Sequence, residues 1–129
     1  MADNIDLSEF SSNELPFSLD AEQSVIGAML IDPDALTTAM NYLKSESFYI
    51  SMHRDLYSII TRNFAMGVRS DAVTVLDEAV KEGIFENAAA GKEYLVEISR
   101  GIPSTANIES YCKIVAEKFY LRSLITASK

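Results

Sequence analysis

The last stretch of the sequence, residues 106–129, carries apolar side chains at helical spacing on two neighbouring stripes. The first stripe contains Ile108, Cys112, Val115 and Phe119, and the second contains Tyr111, Ile114, Leu121 and Ile125. This apolar face is wider than one packing partner requires, so the stretch predicts a long helix that contacts more than its own core. Because no Gly, Asn or Pro stands near its end as a stop signal, we expect the helix to continue beyond residue 129.

The size and charge of the chain exclude several classes of function. A sequence of 129 residues is expected to fold as one domain around a single core. Its net charge of −8 and its 11 scattered basic residues argue against a domain that holds nucleic acid through the phosphates. The apolar run at residues 25–31 is too short to span a membrane, and it lacks the preceding basic region of a signal peptide. Cys112 is the only cysteine, so we expect it to pack as a small apolar side chain in a reducing, cytoplasmic compartment.

Start and stop signals predict shorter helices before the long one. Residues 1–17 are acidic and have few periodic apolar positions, so we expect a flexible acidic tail there and a helical domain at residues 18–129. The first helix is expected to begin after Asp20, which caps it in a capping-box pattern with Gln23. This helix is apolar almost all round, which predicts a place in the interior.

Similar signals place the other helices. The second is predicted at residues 33–42, the third ends at Gly67, and the fifth starts near Gly91. The predicted caps of the second, third, fourth and sixth helices are Asp32, Ser51, Asp71 and either Ser104 or Thr105. The buried stripes of the third and fourth are expected to contain Leu56, Ile59, Ile60 and Phe64, and Val73, Leu76, Ala79 and Val80. Since no run alternates apolar and polar residues, the sequence predicts an all-α fold, a compact bundle of about six helices.

The sequence contains no arrangement that is typical of an enzyme. Gly91-Lys92 resembles the end of a phosphate-binding loop, but Glu93 stands where Ser or Thr should hold magnesium, and the flanks are helical. His53 is the only histidine, which leaves no set for a multi-histidine metal site or a catalytic triad. We predict a structural or solvent-facing role for His53, and no catalytic, cofactor-binding or metal-binding residue in the chain.

The stronger functional signal is the apolar surface of the last helix. Its apolar side chains cannot all face one small core, and Tyr is favoured in interfaces because it buries area while keeping a polar tip. Surplus apolar surface of this kind marks an interface. We therefore predict that this helix binds a second copy of the chain or another partner through Tyr111, Phe119, Tyr120 and Leu124.

Several motifs resemble the amino-terminal domain of the DnaB-type replicative DNA helicase. The stretch SLDAEQSVIG at residues 18–27, preceded by LP at 15–16, resembles the opening pattern of that family, P-x-S-x-E-A-E-x-x-V-L-G. Further agreement comes from Phe48-Tyr49 with His53 and Tyr57, from Val73-Thr74, and from Tyr94-Leu95 before PSTANIESY at residues 103–111. The resemblance covers residues 15–127. It departs mildly at Ala90-Gly91, where the family usually has paired glycines, and at Asp20, where Glu is commoner.

The resemblance implies a fold and a function. In this family the domain forms the collar of a hexameric ring by pairing through a helical hairpin, so the last helix here would be the first arm of that hairpin, truncated before the second. The chain would be a non-catalytic assembly domain that binds the carboxy-terminal helical domain of primase during DNA replication and that helicase loaders also engage. ATP, magnesium and the ATP-dependent helicase activity would belong to a RecA-like motor domain absent from this chain. The resemblance places the primase-facing surface around Asp20, Tyr94 and Ile125.

Two alternatives stay open at this point. A phage or plasmid relative of the helicase would serve a different loader or primase, in an infected or plasmid-bearing bacterial cell. A free-standing regulatory helical domain would instead carry a closed apolar pocket with convergent polar groups. A linker helix followed by a phosphate loop after Lys129 would show that the chain is part of a helicase.

Overall fold

Six α-helices and two short 3-10 turns make up the described part of the chain. The computed structural model describes residues 15–101 and 105–128, and these contain no β-strand. The helices are α1 (Leu19–Ile31), α2 (Pro33–Tyr42), α3 (Ser51–Ala65), α4 (Ala72–Lys81), α5 (Ala88–Arg100) and α6 (Ile108–Ser128), and the 3-10 turns are Ser45–Ser47 and Thr105–Asn107. The predicted all-α bundle of six helices is confirmed.

The central helix of the bundle is α1, which packs against α2, α3, α5 and α6. It buries side chains on every side, and Val25, Ile26 and Ala28 are completely inaccessible to solvent. Full burial of an aliphatic side chain stabilises a fold by about 1.5–3 kcal/mol, so a helix buried all round is the main anchor of the core. The interior position predicted for this helix is confirmed.

The start of α1 differs from the prediction. The N-terminal cap is Ser18, whose hydroxyl accepts a hydrogen bond from the Ala21 amide at 3.1 Å. Ser18 has the extended backbone that a cap requires, and the helix therefore begins two residues before the expected point. The prediction that Asp20 caps this helix is wrong. Asp20 lies in the first turn instead, where a carboxylate interacts favourably with the positive end of the helix dipole.

Other helix starts follow their local signals in most cases. Asp32 caps α2 through the Asp34 amide and Asp71 caps α4, as predicted, and at α4 Thr74 completes a reciprocal capping box with Asp71. The start of α3 is different, because Ile50 occupies the cap position and provides no side-chain capping hydrogen bond. Ser51, the expected cap, is the first helical residue.

Close packing explains why α5 extends further than predicted. The helix begins at Ala88 with Asn87 as its cap, so Gly91 lies inside it and does not start it. A Cβ at this glycine would come within 2.6 Å of the Phe85 side chain and 2.7 Å of the Leu76 side chain. Glycine is therefore present at this position for the close approach of α4 and α5, and not as a break.

The buried stripes of α3 and α4 are shifted relative to the prediction. Phe64 is 48% exposed and Val73 is 76% exposed, so their expected places in the core are wrong. The end of α3 buries Asn63 instead, whose side chain donates hydrogen bonds to Ser70 and Glu78. On α4 the buried residues are Val75 and Ala79, one turn apart. A one-sided helix of 10 residues has room for few core contacts, and its neighbours decide which stripe faces inward.

Some of the predicted features fall on residues that the structure does not describe. Residues 1–14 of the predicted tail, and Ser104 as a predicted cap, lie outside the described residues. Phe17, at the end of the predicted tail, lies within the described residues, and its ring stacks on that of Tyr49 with centroids 4.5 Å apart. Elsewhere in the chain, the predicted stop of α3 at Gly67 is confirmed by a positive φ of 74°. Among the described helices, none is both long and apolar enough to cross a membrane.

Cys112 packs on α6 as the sequence predicts. Its side chain is fully buried within the hydrophobic core, and burial raises the pKa of its thiol to about 12. The protonated thiol is a small apolar group at neutral pH.

Candidate partner-binding site

The three residues predicted to face a partner lie on three different helices. Asp20 is exposed on α1 and lines an open groove between α1 and α5, together with Gln23, Ser24, Glu97, Ile98 and Gly101. Tyr94 is half-buried on α5, and Ile125 on α6 is only 1% exposed. The structure therefore places Asp20 in the groove, leaves Tyr94 outside the groove's lining, and gives Ile125 no surface for direct contact. Truncating Ile125 is expected to cost about 2–5 kcal/mol of stability, as for other buried aliphatic side chains.

A buried carboxylate, Glu22, lies on the same helix as Asp20. Glu22 is 1% exposed and follows Asp20 by two residues on α1. Its oxygens accept hydrogen bonds from the backbone amides of Tyr49 at 2.7 Å and Ile50 at 3.2 Å, and from His53 Nδ1 at 2.8 Å. Because those amides come just before α3, the Glu22 carboxylate fixes the segment that leads into that helix and lies near the positive end of its dipole.

His53 connects Glu22 to Tyr94. The imidazole is completely buried, and its Nε2 lies 2.5 Å from the Tyr94 hydroxyl. Gln23 donates a hydrogen bond from its side-chain amide to the same hydroxyl at 3.2 Å. We refer to Glu22, His53, Tyr94 and Gln23 as the buried relay, since their hydrogen bonds join α1, α3 and α5.

The charge of Glu22 determines which group donates in each hydrogen bond of the buried relay. Burial alone raises the pKa of this carboxyl, but the hydrogen bonds from His53 and from the two backbone amides outweigh it, and the net pKa lies below the usual value. An ionised carboxylate accepts only, so His53 Nδ1 carries the proton that it donates to Glu22. In the neutral imidazole Nε2 is then an acceptor, the Tyr94 hydroxyl donates to it, and the Tyr94 oxygen accepts from Gln23.

The order carboxylate, imidazole and hydroxyl is that of a nucleophilic triad, but the chemistry is different. Burial raises the pKa of the Tyr94 phenol, and the negative charge of Glu22 adds to the effect, so the phenol stays protonated at neutral pH. Its oxygen already accepts from Gln23. The relay therefore holds three helices together. Of the two roles predicted for His53, structural or solvent-facing, the structural role agrees with this arrangement.

A second buried charge, Arg122, ties α6 to the start of the domain. Its guanidinium donates to the backbone carbonyls of Pro16 at 2.8 Å and Ser47 at 3.0 Å. It also lies over the rings of Tyr49 and Phe119, at 5.2 and 5.8 Å from the centroids. Arg122 is only 8% exposed, and burial lowers the pKa of its guanidinium.

Sequence reasoning missed the roles of Glu22 and Arg122, although a signal for both is present. Glu22 shares a helical stripe with Ile26 and Met29, and Arg122 lies seven residues after Val115 on the first apolar stripe of α6. A charged residue on an apolar stripe is expected to be buried with partners. The partners themselves lie far away in sequence and could not be identified.

The predicted self-association residues lie along α6 with different exposures. Tyr120 is 56% exposed, while Tyr111, Phe119 and Leu124 are half-buried. Tyr120 and Leu124 are one turn apart and share a face of the helix. Ile114, which is 39% exposed, adds apolar surface to the same helix. No group of three or more His, Cys, Asp or Glu side chains suited to a metal ion occurs at residues 15–101 and 105–128.

Comparisons with known proteins give a consistent assignment. The family model described as DnaB-like helicase N terminal domain matches residues 14–117. The chain is similar to the replicative DNA helicase DnaC of Bacillus subtilis, with 39% identity over 110 residues that cover 85% of this chain and 24% of that protein. It is similar to the replicative DNA helicase DnaB of Geobacillus stearothermophilus, with 39% identity over 116 residues that cover 90% of this chain and 25% of that protein. The chain thus spans about a quarter of the length of these relatives.

A solved structure agrees with these relatives. The fold is similar to the crystal structure of the N-terminal domain of DnaB helicase from Mycobacterium tuberculosis, with a TM-score of 0.82 and 37% identity, over 88% of this chain and 82% of that one. The family match covers all of the motifs named above, and the resemblance inferred from them is confirmed. This chain therefore belongs to the DnaB-like helicase N-terminal domain family.

Proposed function

We propose that this chain is the assembly and partner-binding domain of a hexameric replicative DNA helicase, and that it takes part in forming the collar of the ring and in binding primase. The observation that carries the proposal is the family match over residues 14–117, together with a fold that agrees with a solved domain of the same kind. The relatives that the chain matches are named replicative DNA helicases. We infer that ATP, magnesium and strand separation belong to a motor domain outside this sequence, in a bacterial or phage-infected cell.

The proposed collar contact is supported by the surface of α6. Exposed apolar side chains on a long helix favour a helix-to-helix contact with a second copy. Tyr120, Leu124 and Ile114 provide that surface, and Tyr120 is the most exposed of the three. The pure chain is expected to lack ATPase activity, and measurable ATP hydrolysis would contradict its proposed non-catalytic role.

The proposed primase contact is supported by the groove that Asp20 lines. The groove carries two carboxylates, Asp20 and Glu97, around the exposed end of α1. It is open to solvent, and one of its lining residues, Gln23, belongs to the buried relay. A partner bound in this groove contacts side chains of both α1 and α5.

The test is a calorimetric titration of the 129-residue chain with the carboxy-terminal helical domain of the cognate primase. We expect Asp20→Ala to weaken binding about fivefold or more, the effect of losing a contact worth about 1 kcal/mol. Asp34→Ala is the matched control, because Asp34 occupies the first turn of α2 as Asp20 does in α1 and is likewise exposed. Absence of binding by the unaltered chain, or equal weakening by both substitutions, would overturn this primase site.

A further inference from the structure

The Tyr94 hydroxyl is fully used inside the domain. It donates to His53 Nε2 and accepts from Gln23, and its ring stacks on the imidazole with centroids 6.0 Å apart. Phe85 lies against the other part of the ring at 6.3 Å between centroids. These contacts set the position of the half-buried Tyr94, and its hydroxyl is linked to the groove through Gln23.

The groove depends on the same hydrogen bonds. Gln23 lines it beside Asp20 and is also the residue whose amide reaches across to Tyr94 on α5. The hydrogen bond between Gln23 and Tyr94 thus joins the two walls of the groove, α1 and α5. Its direction is fixed by the His53 tautomer, which the Glu22 carboxylate selects.

We propose that Glu22 and His53 are positioning residues of the groove: through the Tyr94 hydroxyl and Gln23 they hold the first turn of α1 against α5 and so place Asp20 for its partner. This inference rests on the proposed function and specifies how that site is kept in register. Neither residue touches the partner. The Glu22 charge keeps the proton of His53 on Nδ1, and each hydrogen bond of the relay then has one donor and one acceptor.

The proposal predicts what happens when the charge is removed. In Glu22→Gln the side-chain amide can donate to His53 Nδ1, which releases the imidazole to carry its proton on Nε2 and reverses the bond to Tyr94. The chain has one histidine, so its ¹⁵N imidazole resonances report this tautomer without ambiguity. We expect the Nδ1–H tautomer in the unaltered chain, and a shift toward Nε2–H in Glu22→Gln.

Binding of the cognate primase domain is measured on the same samples by titration. We expect Glu22→Gln and Tyr94→Phe each to weaken binding by about 3- to 10-fold, the equivalent of one hydrogen bond. Tyr57→Phe is the matched control, because the Tyr57 hydroxyl donates a buried hydrogen bond to the Leu43 carbonyl at 2.7 Å outside the relay. It is expected to lower stability comparably while changing affinity less than about twofold.

The outcomes separate this inference from the proposed function. Lack of binding by the unaltered chain would overturn the proposed primase contact itself. Normal binding by Glu22→Gln and Tyr94→Phe despite an altered imidazole, or equal weakening by Tyr57→Phe, would overturn the inference alone. An Nε2–H tautomer in the unaltered chain would overturn the relay directly, and Tyr94→Phe carries the binding comparison if Glu22→Gln fails to fold.

Discussion

Two charged side chains, Glu22 and Arg122, are buried in a domain of modest size. The penalty for removing an ion from water is several kcal/mol, and it is offset only when hydrogen bonds replace the lost hydration. Glu22 receives three such bonds, and Arg122 makes two bonds to carbonyls and lies over two aromatic rings. The two charges have opposite sign. Each of them forms hydrogen bonds with backbone amides or carbonyls that lie outside the α-helices.

Glu22→Gln is expected to lower the free energy of unfolding by about 2 kcal/mol at pH 7, since hydrogen bonds to a buried charge are worth about 1.5–3 kcal/mol. The folded-state pKa of Glu22 is below its ordinary value of 4.5, so its contribution is complete above pH 4.5 and is lost as pH falls through the folded pKa. The difference between the two proteins should therefore shrink below pH 4.5. Urea unfolding from pH 7 to pH 3 measures this, and a constant difference across the range would contradict it.

Arg122→Met is expected to lower the free energy of unfolding by about 3 kcal/mol, because it leaves the Pro16 and Ser47 carbonyls without their donor. Methionine keeps much of the apolar stem, so the loss reports the guanidinium. Lys113→Met on the same helix is the control, since its ammonium is exposed and pairs with Glu109 at 3.9 Å. Urea unfolding that gives equal losses for both substitutions would show that the buried bonds contribute nothing special.

At the scale of the elements, the start of α1 allows the effect of a capping residue, Ser18, to be compared with that of a first-turn carboxylate, Asp20. Ser18→Ala is expected to cost about 1 kcal/mol, because Ser18 is the cap that the Ala21 amide requires. Asp20→Ala is expected to cost about 0.5 kcal/mol or less, through the helix dipole alone. Thermal unfolding of both variants measures the two effects. A larger loss for Asp20→Ala would restore it as the cap.

The helices could be predicted because their signals are local. Asp32 with Pro33, the cap at Asp71 and the stop at Gly67 each depend on residues within a few positions, and the structure places all three as expected. The errors have a common cause in tertiary contacts. The segment that leads into α3 is held by Glu22 from a different helix, 27 and 28 residues away in sequence.

The candidate site was predictable only in part for the same reason. The exposed position of Asp20 follows from the helix pattern, but the burial of Ile125 depends on how α6 lies on the domain. Arg122 bonds carbonyls that are 75 and 106 residues away, and His53 bonds residues 31 and 41 positions away. A single sequence does not specify pairings across such separations.

At the scale of the whole molecule, the fold leaves an apolar face on its longest helix, and this face makes a prediction about association. The 129-residue chain is expected to self-associate weakly through α6, as monomer in exchange with dimer, because one helix face buries less area than a stable interface requires. Tyr120→Ser should shift the population to monomer, since Tyr120 is 56% exposed and its removal does not disturb the core. Val73→Ser on α4 is the control, being 76% exposed on a different helix. Sedimentation velocity over a range of concentrations decides: a tight hexamer, or dissociation by Val73→Ser and not by Tyr120→Ser, would place the association surface elsewhere.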